Sequence, residues 1–207
     1  MTATKSAFVA ITLLASSLAQ AGWSANLGYA SDYYYRGIFQ ASSSPSGGVD
    51  YEEGGFYAGV WAADVKDGLE VDGYFGYGGE VGDFGYSIGY TGYFYTGDFD
   101  DTYQEINLGG SYGFVTLDVA LGEYDNFGSP KADYGYYALT FEREGFYGKY
   151  AGFSQDFEGE YVELGYGTTV ADIDLGVVLL FNDSDLSGTG SSDESLIFTI
   201  GKSFDLQ

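Results

Sequence analysis

The chain has 207 residues, 31 acids against 7 bases, a formal net charge of −24, and neither cysteine nor histidine. This excludes disulfide staples, thiol catalysis, Zn-thiolate sites and any Ser-His-Asp triad. The charge argues against nucleic acid as a partner, while 22 Tyr, 16 Phe and 34 Gly with two Pro favour pleated strands over disorder.

The chain opens with Lys5, an apolar run over residues 7–18 and Ala19-Gln20-Ala21. A positive start, an apolar middle and small residues before the cut describe a secretory signal peptide over residues 1–21, cleaved before Gly22. The run is too short to cross a bilayer as a helix. Removing 21 of the 207 residues leaves 186 for one domain and takes away Lys5 and no acid, so the charge becomes −25.

From Trp23 onward the period is two. Trp23, Ala25, Leu27 and Tyr29 alternate with Ser24, Asn26 and Gly28, and Asp32 and Arg36 share the parity of Asn26. Residues 41–46, Ser-rich with Pro45, read as a loop. Val49 and Tyr51 then alternate with Asp50 and Glu52. Leu69, Val71, Phe75 and Tyr77 alternate with Glu70, Asp72 and Tyr74; Ile106 and Leu108 with Glu105 and Asn107; Val115, Leu117 and Val119 with Thr116 and Asp118. Lys149 lies in a stretch of uncertain register; Glu163 alternates with Val162 and Leu164, and Asp174 with Ile173 and Leu175. Loops near 41, 66, 96, 125, 156 and 183 alternate with short turns near 54, 82, 113, 144 and 171. About twelve strands with alternating long and short connections predict an all-β, closed, up-and-down antiparallel transmembrane β-barrel over residues 22–207. Its apolar parity faces lipid and its acids face the lumen.

The last stretch carries Thr199, Gly201, Phe204 and Leu206 in the order polar, any, Gly, any, any, aromatic, any, hydrophobic. That order resembles the C-terminal assembly signal of bacterial outer-membrane proteins, which implies outer-membrane lipid and the barrel-assembly machinery as partners. An ordinary terminal edge strand is the plainer reading.

Residues 31–40, Ser-Asp-Tyr-Tyr-Tyr-Arg-Gly-Ile-Phe-Gln, resemble the signature near the mature N-terminus of the TorF family, porin-type proteins of the proteobacterial outer membrane. Gly47-Gly48-Val49-Asp50-Tyr51 and the run from Gly55 to Trp61 are similar to its next block, and the ending Lys202-Ser203-Phe204 is similar too. These motifs cover about a fifth of the mature chain. Phe39 departs from the small polar residue expected there. The resemblance implies an outer-membrane barrel and a pore, without naming a substrate.

No cofactor, catalytic residue or metal ligand set stands out. Acid pairs such as Glu70/Asp72 and Asp50/Glu52 could in principle hydrolyse glycosides, but such pairs arise readily in acidic strands. The loop acids Asp98, Asp100 and Asp101, or Asp183, Asp185 and Asp193, lack Ca²⁺-loop spacing and read as solvated. The expected pore-lining set is Asp32, Arg36, Asp50, Glu52, Glu70, Asp72, Glu105, Asp118, Lys149, Glu163 and Asp174, with Arg36 paired to Asp32 or a neighbouring carboxylate. Carboxylate rings favour cations. The expected function is passive diffusion of small cationic or neutral solutes across the bacterial outer membrane, with small cations as partners. The alternatives are a closed structural or adhesive barrel plugged by Tyr rings and, less favoured, a soluble β-sandwich.

Overall fold

The structure is a computed structural model that describes residues 21–206. The signal-peptide reading of residues 1–21 lies outside them except for Ala21. Twelve strands run in order: β1 Gly22–Tyr35, β2 Ile38–Glu53, β3 Phe56–Asp64, β4 Leu69–Val81, β5 Phe84–Tyr95, β6 Tyr103–Tyr112, β7 Val115–Tyr124, β8 Ala132–Arg143, β9 Phe146–Gln155, β10 Glu160–Val170, β11 Ile173–Asn182 and β12 Asp193–Leu206. Each pairs antiparallel with its sequence neighbours, and β12 pairs with β1, so the sheet closes into one barrel. Closure leaves no sheet edge to aggregate. A two-sheet sandwich is thereby ruled out for these residues.

The alternation predicted from sequence sets the two faces of the wall. Leu27, Val60, Phe75, Ile88, Leu164 and Phe198 lie outward and exposed, while Ala63, Tyr93, Ala120, Tyr136 and Leu180 point inward and are buried. This is the reverse of a soluble protein, which hides its large apolar side chains. Along β11, Ile173, Leu175, Leu179 and Phe181 are all exposed. From residue 173 to residue 181 an extended strand spans about 26 Å. At one rim the outward residues are mainly aromatic: Trp23 against Tyr51 (5.1 Å), Phe146 against Tyr166 (4.6 Å) and Phe114 against Phe141 (6.4 Å). Lys202 is also outward, its ammonium 5.6 Å from the Phe204 ring centroid.

That aromatic rim carries the short turns at 54–55, 82–83, 113–114, 144–145 and 171–172. Their twist is met by left-handed backbone at the first central position of all five, and at both central positions of 54–55, 144–145 and 171–172. Glu144 (φ 55°) and Gly145 (φ 84°) supply it, and a Cβ on Gly145 would lie 2.5 Å from the Gly167 carbonyl oxygen. The opposite rim carries the longer connections, including a 3₁₀ turn at Asn126–Gly128 and a four-residue helix α1, Ser184–Ser187, capped by Asp183.

The first hairpin departs from the sequence reading. Residues 41–46 are strand, not loop, and the chain reverses at Arg36-Gly37, with φ 49° and 84°. The wall pairing of β1 with β12 stops at Ala30, and that of β2 with β3 begins at Ser46. Beyond those points β1 and β2 pair only with each other, with a register shift between Tyr33 and Tyr34. Pro45 is tolerated because it sits where β2 has no pairing to β3, so its missing N–H breaks no ladder there. Freed on both sides, this two-stranded ribbon folds into the barrel.

Candidate functional site in the barrel lumen

The ribbon tip places Arg36 at the centre of the lumen. Its guanidinium donates through two nitrogens to the two Glu105 oxygens, both at 2.7 Å, in the fork geometry that makes such pairs strong. Tyr93 and Tyr134 hydroxyls donate to the same oxygens at 2.7 and 2.9 Å. Glu105 is thus satisfied by four donors. The guanidinium also lies 4.0 Å from the Tyr136 ring centroid and 5.0 Å from that of Tyr35, within cation–π range. The expected partner Asp32 is not the one used. Arg36 sits in the turn, past the end of β1, and reaches a carboxylate 69 residues away; Asp32 accepts instead from Ser42 at 2.8 Å.

Around this pair the long-loop half of the lumen is filled. Gly37 lies against Tyr161 and Leu186, and its carbonyl accepts from Asn182 at 2.9 Å. Tyr136 and Tyr161 hydroxyls share a 2.8 Å hydrogen bond. Phe157, from the 156–159 connection, stacks on Tyr134 at 5.2 Å, and Leu186 of α1 is buried beside the tip. A Cβ on Gly37 would sit 2.8 Å from the Tyr161 ring in a left-handed backbone. Gly37→Ala is therefore expected to cost about 1–3 kcal/mol and to loosen the tip, seen as faster proteolysis or hydrogen exchange over residues 33–41.

The remaining lumen candidates divide between two walls. On the β9–β10 side Lys149 pairs with Glu163 at 3.2 Å and Tyr147 donates to Glu163 at 3.1 Å, while Asp118 is half-buried on β7. Asp174 accepts from Thr169 at 2.5 Å. On the β2–β4 side, among the described residues, no base is paired to Asp50, Glu52, Glu70 or Asp72. Asp50 accepts from Asn26 at 3.2 Å and from Tyr74; Glu52 is half-buried near the short-turn rim; Glu70 accepts from Tyr33 at 2.5 Å. Asp72 is 1% exposed, and neither of its oxygens has a hydrogen-bond partner. The buried tyrosine cluster was not in the sequence-derived set. Its signal was present in the inward parity of Tyr93, Tyr134, Tyr136 and Tyr161.

The loop acids are engaged locally. Asp100 accepts from Tyr103 (3.0 Å) and Tyr124 (2.8 Å), Asp101 accepts from the Phe127 N–H, and Asp183 caps α1. Among the described residues no group of three or more carboxylates is placed to hold a metal ion. In β12, Thr199, Gly201, Phe204 and Leu206 lie along the seam opposite Ala30, Gly28, Ala25 and Trp23.

Among solved structures, the chain is similar to one reported under "Unveiling the Mechanism Behind the in-meso Crystallization of Membrane Proteins", with a TM-score of 0.63 and 10% identity over 90% of this chain and 84% of that one. At that identity the likeness concerns the fold alone. Weaker likenesses are to the outer membrane protein opdK from Pseudomonas aeruginosa (TM-score 0.41, 14% identity, 80% and 58% covered) and to an anion-selective porin from Comamonas acidovorans (0.43, 21%, 80% and 60%). The chain spans less than two thirds of the length of either. No curated protein matches it. Over residues 15–203 the sequence fits the model of a family described as "Bacterial protein of unknown function (Gcw_chp)", and the chain belongs to that family.

Proposed function

We propose that this chain is a porin-like barrel of the bacterial outer membrane, passing small cationic or neutral solutes, with its first hairpin as the constriction. The observation that carries the reading is the inverted wall: an apolar, aromatic-rimmed outside around a carboxylate-bearing inside. In water such an exterior is a large aggregating surface; in lipid it is the expected one. The roughly 26 Å run along β11, shortened by strand tilt, is the right order for the apolar band of an outer-membrane barrel. The resemblance of residues 31–40 and 47–61 to the TorF family, and of 199–206 to an outer-membrane assembly signal, agree with this location. Barrel-assembly machinery is the partner that the second resemblance implies.

Lumen acids on the β2–β4 wall would favour cations, and the Arg36–Glu105 pair would set the narrowest point. Folded protein in a planar bilayer under a KCl gradient is expected to pass small currents whose reversal potential has the sign of cation selectivity. Asp50→Asn with Glu52→Gln is expected to move that potential toward zero. Anion selectivity would overturn the acidic-lumen reading. A specific observation favours a second reading, a closed structural barrel: Glu105, Tyr93 and Tyr134 are each 2% exposed or less at the centre of the lumen. The absence of any current from folded protein, including an Arg36→Ala variant, would leave that one standing.

A further inference from the structure

Asp72 combines two features that do not ordinarily coexist. It is 1% exposed, and both carboxylate oxygens lack a hydrogen-bond partner. A buried ionised carboxylate without donors is strongly disfavoured unless something neutralises it. The charged groups whose fields reach it are Glu70, Glu105 and Arg36. Arg36 is already held by Glu105 through both nitrogens, and Glu70 is a like charge two residues along the same face of β4. Glu70, two residues away, accepts from Tyr33 and has the Tyr95 hydroxyl of its cross-strand neighbour beside it, so the unmet demand is centred on the two Asp72 oxygens. Two acids therefore lie side by side on one face of β4, with Tyr33 donating to Glu70 and touching Trp61, and with Trp61 and Tyr93 as cross-strand neighbours of Asp72.

We infer that Asp72 and Glu70 form a binding site for a monovalent alkali cation within the lumen. The inference rests on the acidic-lumen reading above and adds to it a discrete, occupied site. Entering a site this buried means shedding water, which costs a doubly charged ion far more than a singly charged one, and Mg²⁺ in particular sheds its water reluctantly. A single positive charge offsets much of the local imbalance. In the register of the β2–β4 wall, Glu52 and Asp50 lie between the short-turn rim and the level of Asp72.

The test uses the folded barrel in detergent. Its melting temperature is compared in KCl, NaCl and N-methyl-D-glucamine chloride at equal ionic strength. A site filled at about ten times its Kd should raise the melting temperature by roughly 3–6 °C in one or both alkali salts over the bulky cation, and Asp72→Asn should abolish the difference. Equal melting in all three salts would mean that Asp72 carries a proton instead, and would overturn the site. A difference that survives in Asp72→Asn would place the ion elsewhere and overturn it too. Should Asp72→Asn fail to fold, wild-type crystals grown in RbCl decide: an anomalous peak between Asp72 and Glu70 is expected, and its absence refutes the site. Rubidium bound there in a barrel that carries no current would sink the channel reading alone. Cation-selective current without that peak would sink the site alone.

Discussion

Arg36→Ala is expected to destabilise the folded barrel by about 3–5 kcal/mol, the cost of leaving a buried carboxylate without its cation. Glu105 is 2% exposed, and among the described residues Arg36 is the base that pairs with it. Two Tyr hydroxyls would remain on it, but they carry no charge. The loss also removes the guanidinium from the Tyr136 face, worth about 1 kcal/mol more. Equilibrium urea unfolding into lipid vesicles measures the total. Glu105→Gln alone strands the arginine and should cost a similar amount, whereas the double variant Arg36→Met/Glu105→Leu should recover most of it, since replacing a whole buried pair by apolar groups is often neutral. If the single variants prove as stable as wild type, the pair does not anchor the hairpin. If the channel reading holds, the same Arg36→Ala substitution should raise bilayer conductance severalfold, because it empties the narrowest point.

Leu164→Arg is expected to cost about 2–4 kcal/mol in lipid, the penalty for a cation near the middle of the outer band of a membrane barrel. Leu164 is half exposed in the middle of β10, opposite Gly148 of β9 and Leu179 of β11. Val170→Arg, on the same face but at the short-turn rim, should cost much less, about 0–1 kcal/mol, because the long side chain reaches water there. The depth dependence is the diagnostic. Equal small costs at both positions would mean that water rather than lipid touches this face.

The wall was legible in the sequence because a strand has only two faces. The alternation of Ile106 with Glu105, or of Val162 with Glu163, states which side is wet without reference to any partner. Strand number and closure followed from the rhythm of turns such as Glu144-Gly145. A lumen filled by Tyr rings was legible as an alternative, but the ribbon that builds the plug was not. Arg36 has the parity of Asp32, and local reasoning pairs neighbours, yet its partner is Glu105 on β6. What decides this is the loss of wall pairing above Ala30 and below Ser46, a property of strand register across the seam. Composition misled as well: Ser and Pro over 41–46 suggest a loop, but a ribbon paired on one side tolerates both. The unsatisfied state of Asp72 is likewise invisible in a list of acids, since it depends on which donors the other strands bring to it.

The inward ribbon also bears on the order of assembly. It lies near the start of the chain, but the groups that hold its tip, Tyr134, Tyr136, Tyr161, Asn182 and Leu186, are spread over the later half. Contacts so distant along the backbone carry a large loop-closure entropy and form late. Seating of the ribbon therefore waits until the later strands stand in place, and zipping β12 onto β1 brings the ribbon's root to its final position. The barrel gains its closing seam between the first and last strands and its internal filling in one terminal event, leaving an early intermediate with a hollow, hydrated bore.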